Sequence, residues 1–528
     1  MGKTRWIAAA AVLLATFAVG GLAEDSLMRA LWPAVAAIAS IVILRHAALG
    51  LACGVAAAAL LLAGGHPVAA LRLALADHCF PAVHGPWRVG ALVFTLILGS
   101  FAGILEHSGG FESLLRRMLK RGENGGRHLL GGVYGVGLLC FFDGLASSLL
   151  SGRIARPLAD RAGVSRERLA WVVDSTGSPV ACVAFISTWI ATQLSLIEQG
   201  LSDAPFQVEP YALFFQSIPA NAYCLLTLLL VPLAIRLHYQ PRAMRKFRPL
   251  APDASAESSG PAAPARVVLL PLAVLVTGIL AGFPLLASEP VDVLTLDGWK
   301  QAFSGDAGPY ALVFGSLAGW IAALWCFPAK RRGEVAGAAM HGAATLLPAL
   351  VVLVLAWTLG GMFAALGTTR HVADLLADGT PVAWLPAAVF LTGAAMAFTT
   401  GSSWGTMGLL MPLALPATVA AATAAGLHPD EIHAMIPMVI GAVFGGATLG
   451  DHCSPFSDTT IVSALASGCR TMDHVVSQLP FAGIAATCAC AAYAMMAAGR
   501  SPLAATAMAA GLMVMWVAFL NRRSINPG

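Results

Sequence analysis

Charge is what this sequence has least of. Lysine, arginine, aspartate and glutamate make up 11% of its 528 residues, where a soluble domain carries about 25%. With 58% hydrophobic residues and a mean hydropathy of +0.77, the chain reads as a polytopic membrane protein rather than a water-soluble globule. Runs of alternating polar and apolar residues are missing, which removes a transmembrane barrel. Apolar windows of about 20 residues, the length of a spanning helix, recur instead. The fold class is therefore all-α. No HExxH or P-loop occurs, so a zinc protease and an ATP-driven pump lack their reacting groups, and no enzyme activity is expected. No basic, aromatic-interleaved patch speaks for nucleic acid, and a net charge of +4 is small for this length. The ten cysteines lie mostly in apolar stretches with no disulfide or metal-ligand spacing.

The apolar segments group as N-terminal spans (1–88), a first repeat (89–249), a Pro/Ala/Ser-rich cytoplasmic linker (250–265), scaffold spans (266–330), a second repeat (341–470) and C-terminal spans (477–528). Segment 6–22, which follows Lys3 and Arg5, reads as a retained span rather than a signal peptide. Basic clusters at Arg116–Arg127, Arg236–Arg266, Lys330–Arg332 and Arg522–Arg523 are cytoplasmic by the positive-inside rule. That rule puts both termini in the cytoplasm, and we expect an integral protein of a bacterial inner (cell) membrane.

Four polar interruptions stand out. GDHCSPFSDTT (450–460) breaks the apolar span 433–469 and VVDSTGSP (172–179) breaks the span 169–197. FFDGLASS (141–148) is the turn of a hairpin over 128–165, and FTTGSSWG (398–405) that of a hairpin over 382–425. Ser147 and Ser148 correspond to Ser402 and Ser403, and Ser178-Pro179 to Ser454-Pro455. Each half thus reads as span, re-entrant helical hairpin, broken transmembrane helix. The flanking charges start the first hairpin inside and the second outside, so the repeats have inverted topology, a common plan of secondary transporters.

A carboxylate in hydrocarbon costs about 2.5–3.5 kcal/mol, which usually marks function. Asp143, Asp174, Asp451 and Asp458 are the carboxylates of these breaks, with the hydroxyls of Ser147, Ser148, Thr176, Ser178, Thr400, Ser402, Ser403, Ser454, Ser457 and Thr459 beside them. Such oxygens suit a hard cation such as Na⁺, with Asp451 and Asp458 as its main ligands. A carboxylate that takes a proton as the ion leaves supplies exchange without further machinery. Singly, each hydroxyl is explained as well by helix packing or capping, and each aspartate by a cap or salt bridge. His452 is either a satisfied polar neighbour or a proton-linked group. A remote rival is an intramembrane aspartyl protease built on Phe142-Asp143 and Gly450-Asp451, although Pro348-Ala349-Leu350 then stands on the wrong side of the second aspartate.

The blocks 141–190, 401–416 and 445–469, above all GDHCSP with SDTT, resemble the NhaC family of Na⁺/H⁺ antiporters within the ion-transporter superfamily. The resemblance implies a bilayer-embedded exchanger with Na⁺ and H⁺ as transported ions and no cofactor. Relatives also exchange small organic anions such as malate and lactate, so a Na⁺- or H⁺-coupled exchanger of such anions, or of amino acids, is the alternative. Where relatives often carry two adjacent acidic residues, Asp143 here is followed by Gly144. The surfaces of the N-terminal spans and of 211–327 would suit a homodimer by analogy.

Overall fold

The computed structural model describes residues 3–22, 26–44, 46–110, 113, 125–202, 204–249, 263–303, 307–368, 371, 381–455 and 457–525. Residues 250–262 of the expected linker, and Arg116, Arg117, Lys120 and Arg121 of the first basic loop, lie outside that set. Among the described residues every regular element is helical. Ten helices are long and apolar enough to cross a bilayer, or eleven counting one bent pair. The protein is an all-α polytopic membrane protein.

The main helices, in chain order, are α1 (Lys3–Gly20), α2 (Leu27–Leu44), α3 (Ala47–Leu62), α4 (Pro86–His107), α5 (Gly126–Leu139), α6 (Gly144–Arg161), α7 (Arg166–Ser175), α8 (Ser178–Val183), α9 (Ile190–Gly200), α10 (Pro210–Ser217) and α11 (Ala222–Arg236), with short helical turns over 67–82 between α3 and α4. There follow α12 (Arg266–Leu286), α13 (Leu296–Phe303), α14 (Gly308–Cys326), α15 (Val335–Ala365), α16 (Leu385–Thr400), α17 (Ser403–Ala424), α18 (Pro429–Cys453), α19 (Asp458–Ser467), α20 (Thr471–Ala497) and α21 (Pro502–Ile525).

Local chemistry places the breaks that matter. Gly401 at φ 67° ends α16, and the Ser402 hydroxyl caps α17 by accepting from the Gly405 amide. Ser457 caps α19 in the same way, accepting from Thr460 N, and Gly468 at φ 76° ends it. Serine supplies an acceptor for an orphan helix amide, and glycine enters the left-handed region without steric cost. Close packing around these breaks depends on absent side chains. A Cβ at Gly450 would run into the Ala394 carbonyl of α16, and one at Gly446 into that of Phe390, which is how α18 lies directly on α16.

One feature departs from the sequence expectations. Span 169–197 is interrupted twice, at 176–177 and again over 184–189 between α8 and α9. At the second break the Thr188 amide donates to Phe142 O in the α5–α6 turn (2.8 Å), an outside acceptor that replaces a helical one. The helices α10 and α11 are bent by 52° to one another, where Pro219 sits in the 3-10 turn Ile218–Ala220 and Asn221 leaves helical geometry.

Candidate functional site

Five of the residues singled out from sequence line one cavity of about 360 Å³: Asp143, Thr400, Ser402, Asp458 and Thr459. It is walled further by His46, Thr188, Trp189, Trp404 and the Thr345–Val352 stretch of α15. The turns α5–α6 and α16–α17 and the break α18–α19 therefore meet at one place. Gly144, Trp189, Ser402 and Asp458 stand at the starts of α6, α9, α17 and α19, so four helix N-termini, each a positive dipole end, border the same space. Trp189 and Trp404 meet edge-on at 5.9 Å between centroids and form an apolar part of the wall.

Asp451 lies behind this cavity and is fully buried. Its Oδ1 accepts from Ser457 Oγ (2.7 Å) and its Oδ2 from Thr459 Oγ1 (2.8 Å), and Ser178 Oγ reaches Oδ2 from the other half at 3.4 Å. Thr460 Oγ1 donates to the Asp451 carbonyl (3.2 Å). The pair Asp451 and Asp458 thus divides into two roles. Asp458 is exposed to the cavity, whereas Asp451 holds a shell of hydroxyls in the dry interior. The reason is helical: Asp458 opens α19 at the cavity's edge, while Asp451 is enclosed in the last turn of α18.

Asp174 belongs to a second cluster. Its Oδ1 accepts from Ser463 Oγ (3.1 Å), and its Oδ2 lies 2.8 Å from Gln478 Nε2, 3.2 Å from His474 Nε2 and 3.5 Å from Thr460 Oγ1. His452 stands 3.7 Å away, with its Nδ1 2.7 Å from the Tyr223 hydroxyl and its Nε2 3.2 Å from Ser175 Oγ. Its carbonyl accepts from Gln478 Nε2. One packing contact sets this meeting. Trp171 of α7 stacks on Phe481 of α20 at 3.8 Å and 15°; Asp174 and Gln478 stand one helical turn from these rings, so the stacked rings hold carboxylate and amide in register. Thr460 joins the two clusters, since its hydroxyl lies within reach of both aspartates' oxygens.

The other expected residues have local duties. Thr176 Oγ1 bonds back to Val172 O (2.8 Å) and Thr400 Oγ1 to Met396 O (2.8 Å). Ser454 closes α18 through its amide. Ser403 is buried at the start of α17 and does not line the cavity. Ser147 and Ser148 are buried on α6, with hydroxyls that have no partner. Gly144 and Gly177 pack backbone against backbone: a Cβ on Gly144 would stand 3.3 Å from Gly177 C and 3.4 Å from Ser178 N. Glycine there brings the α5–α6 turn onto the α7–α8 break, at the position where a second carboxylate was looked for.

His46, Thr188, Tyr223, Ser463, His474 and Gln478 were missed from sequence. For two of them a signal existed: His474 and Gln478 are four apart at the start of an apolar span, hence on one face of a helix. Tyr223 and Ser463 carry no such mark.

The chain is similar to several known proteins. It is 29% identical over 450 residues to an uncharacterized protein of Haemophilus influenzae, covering 83% of this chain and 84% of that one. Over 150 residues it is 31% identical to the malate-2H⁺/Na⁺-lactate antiporter of Bacillus subtilis, covering 28% of this chain and 29% of that protein. Among solved structures, the Alcanivorax borkumensis YdaH transporter matches with a TM-score of 0.51 and 17% identity, over 85% of this chain and 88% of that one; at that identity the likeness is one of fold. The Na⁺/H⁺ antiporter family profile matches residues 180–498. That range takes in the α18–α19 break, the hydroxyl shell of Asp451 and the α20 partners of Asp174, and the chain belongs to the Na⁺/H⁺ antiporter family.

Proposed function

We propose that this secondary transporter is a Na⁺/H⁺ antiporter in which Asp451 and Asp458 bind Na⁺ and H⁺ in competition. The observation that carries the reading is the Asp451 shell: a buried carboxylate whose oxygens are met by three hydroxyls, two from its own break and one, Ser178, from the other half. Hydroxyl and carboxylate oxygens are hard ligands suited to a hard cation, and a carboxylate that releases Na⁺ on taking a proton gives exchange at a single centre. Asp458, in the cavity, receives the ion and passes it inward. The two halves are read as inverted repeats whose hairpin turns, α5–α6 and α16–α17, and broken helices, α7–α8 and α18–α19, carry the site at mid-depth; a site at a repeat interface made by discontinuous helices suits alternating access. Asp451 is engaged by hydroxyls rather than by a second carboxylate, which favours ion binding over the aspartyl-protease chemistry.

In everted vesicles energised by respiration, added Na⁺ or Li⁺ should dissipate the pH gradient, and Asp451→Asn should abolish the response. No response in the unaltered protein, or a full response in Asp451→Asn, overturns the reading.

The cavity itself favours a second reading. At about 360 Å³ it falls in the range of small-molecule sites, about 300–1,000 Å³, and four helix N-termini border it, a setting that attracts anions. A small organic anion exchanged for ions is therefore the alternative cargo, in keeping with the name of the B. subtilis relative. Counterflow with a panel of labelled organic acids separates the two.

A further inference from the structure

Six buried polar groups without a hydrogen-bond partner gather in one region. They are the hydroxyls of Ser147, Ser148 and Ser151 on α6 and of Ser467 at the end of α19, Nδ1 of His474 and Oε1 of Gln478 on α20. The helices that carry them are neighbours: α6 packs on α19, α19 on α20, and α7 on all three. The region begins at Asp174, which His474 and Gln478 touch, and reaches the end of α19. The sequence marks only serines at helical spacing, which packing would explain. Missing partners are a different matter, because a buried hydroxyl is nearly always paired and pays its full desolvation cost when it is not.

The far end of the region is tied shut. Arg166 grips Asp160 with two bonds, Nε to Oδ1 at 3.1 Å and Nη2 to Oδ2 at 2.9 Å, and its Nη1 donates to Gly468 O at 3.2 Å. This links the α6–α7 connection to the end of α19. Gly468 stands at φ 76° with the exposed Arg156 guanidinium beside it. Arg153, Arg156 and Arg161 lie on α6 before this connection and Arg470 just past α19, and by the positive-inside rule this end faces the cytoplasm. None of the six orphaned groups lines the Asp458 cavity, so that cavity and this seam are separate approaches to the buried carboxylates.

We propose that the α6–α19 seam, backed by α20, is the cytoplasmic access path to Asp174 and Asp451, closed in this conformation, and that Arg166 bound to Asp160 and Gly468 is its latch. When the seam parts, water enters, the serine hydroxyls gain partners, and the ion or proton leaves Asp451 past Thr460 and Ser463. The inference rests on the transporter reading and not on Na⁺ being the cargo.

The test is labelling by a membrane-impermeant methanethiosulfonate reagent, in membrane vesicles of either orientation, on full-length protein with Cys469→Ser as background. Ser151→Cys and Ser467→Cys should react from the cytoplasmic face. Adding Arg166→Ala should raise the rate about tenfold, the population shift that corresponds to about 1.4 kcal/mol of lost closing energy. Ser40→Cys replaces a buried, unpartnered hydroxyl on α2 and should stay unreactive. If Arg166→Ala fails to fold, as judged by size-exclusion profile, Asp160→Asn replaces it. Labelling of Ser151→Cys no faster than Ser40→Cys with the latch removed, or labelling from the opposite face alone, overturns the proposal. Because the latch variants need no cargo, labelling without Na⁺-driven exchange would sink the Na⁺ reading and leave the path standing, and exchange without labelling would do the reverse.

Discussion

Ser178 and Asp451 stand 3.4 Å apart, hydroxyl to carboxylate, each beside the break of its own discontinuous helix in opposite halves of the chain. Through this contact, and through Thr460 and Ser463 reaching Asp174, neither half has a complete polar centre without the other.

The first prediction concerns the hydroxyl shell. Ser457 donates the 2.7 Å bond to Asp451 and also caps α19. Ser457→Ala should weaken apparent Na⁺ affinity about 10- to 100-fold, the scale seen when a ligand's supporting bond is removed. Ser457→Thr, which keeps the hydroxyl, should restore most of it. The half-saturating Na⁺ concentration for dissipation of the pH gradient reads this directly.

Chemical modification should tell the two carboxylates apart. Asp458 is exposed in the cavity and Asp451 is buried. A water-soluble carbodiimide should therefore modify Asp458 first, with Na⁺ protecting it. Peptide mass spectrometry locates the adduct, and faster modification at Asp451 would contradict the proposed division of labour.

For the Asp174 cluster, Gln478 supplies the 2.8 Å donor from a fully buried position. Gln478→Ala should cost about 1–3 kcal/mol, the penalty for depriving a buried polar group of its partner. A lowered melting temperature in detergent checks it, and Gln478→Glu, which sets a second carboxylate against the first, should be worse than Ala.

The α16–α18 contact makes a packing prediction. Gly450→Ala places a methyl against the Ala394 carbonyl and should destabilise by about 1–3 kcal/mol through forced backbone shifts. Gly483→Ala, on α20 where nothing lies within contact of the added atom, should leave the melting temperature unchanged or slightly higher, because alanine is the better helix former.

Composition and residue order were enough to set the class of fold and the polar breaks. Few charges and long apolar runs permit only helices that satisfy their own backbone in lipid, and a Ser-Pro pair among carboxylates interrupts such a helix wherever it is packed. Asp451, Ser457 and Thr459 were legible for that reason, being neighbours in one short stretch. Tertiary structure alone decided the rest. Asp458 and Asp451 are seven residues apart, yet one meets water and the other none, because a helix start and a helix end place them on opposite sides of a wall. Tyr223, Ser463, His474 and Gln478 reach the site from helices distant in sequence, brought in by contacts such as Trp171 on Phe481. A second break over 184–189 arose because a carbonyl of the α5–α6 turn claimed the Thr188 amide. Periodicity and composition report what a segment does to itself; which partner arrives from elsewhere depends on packing across the whole bundle.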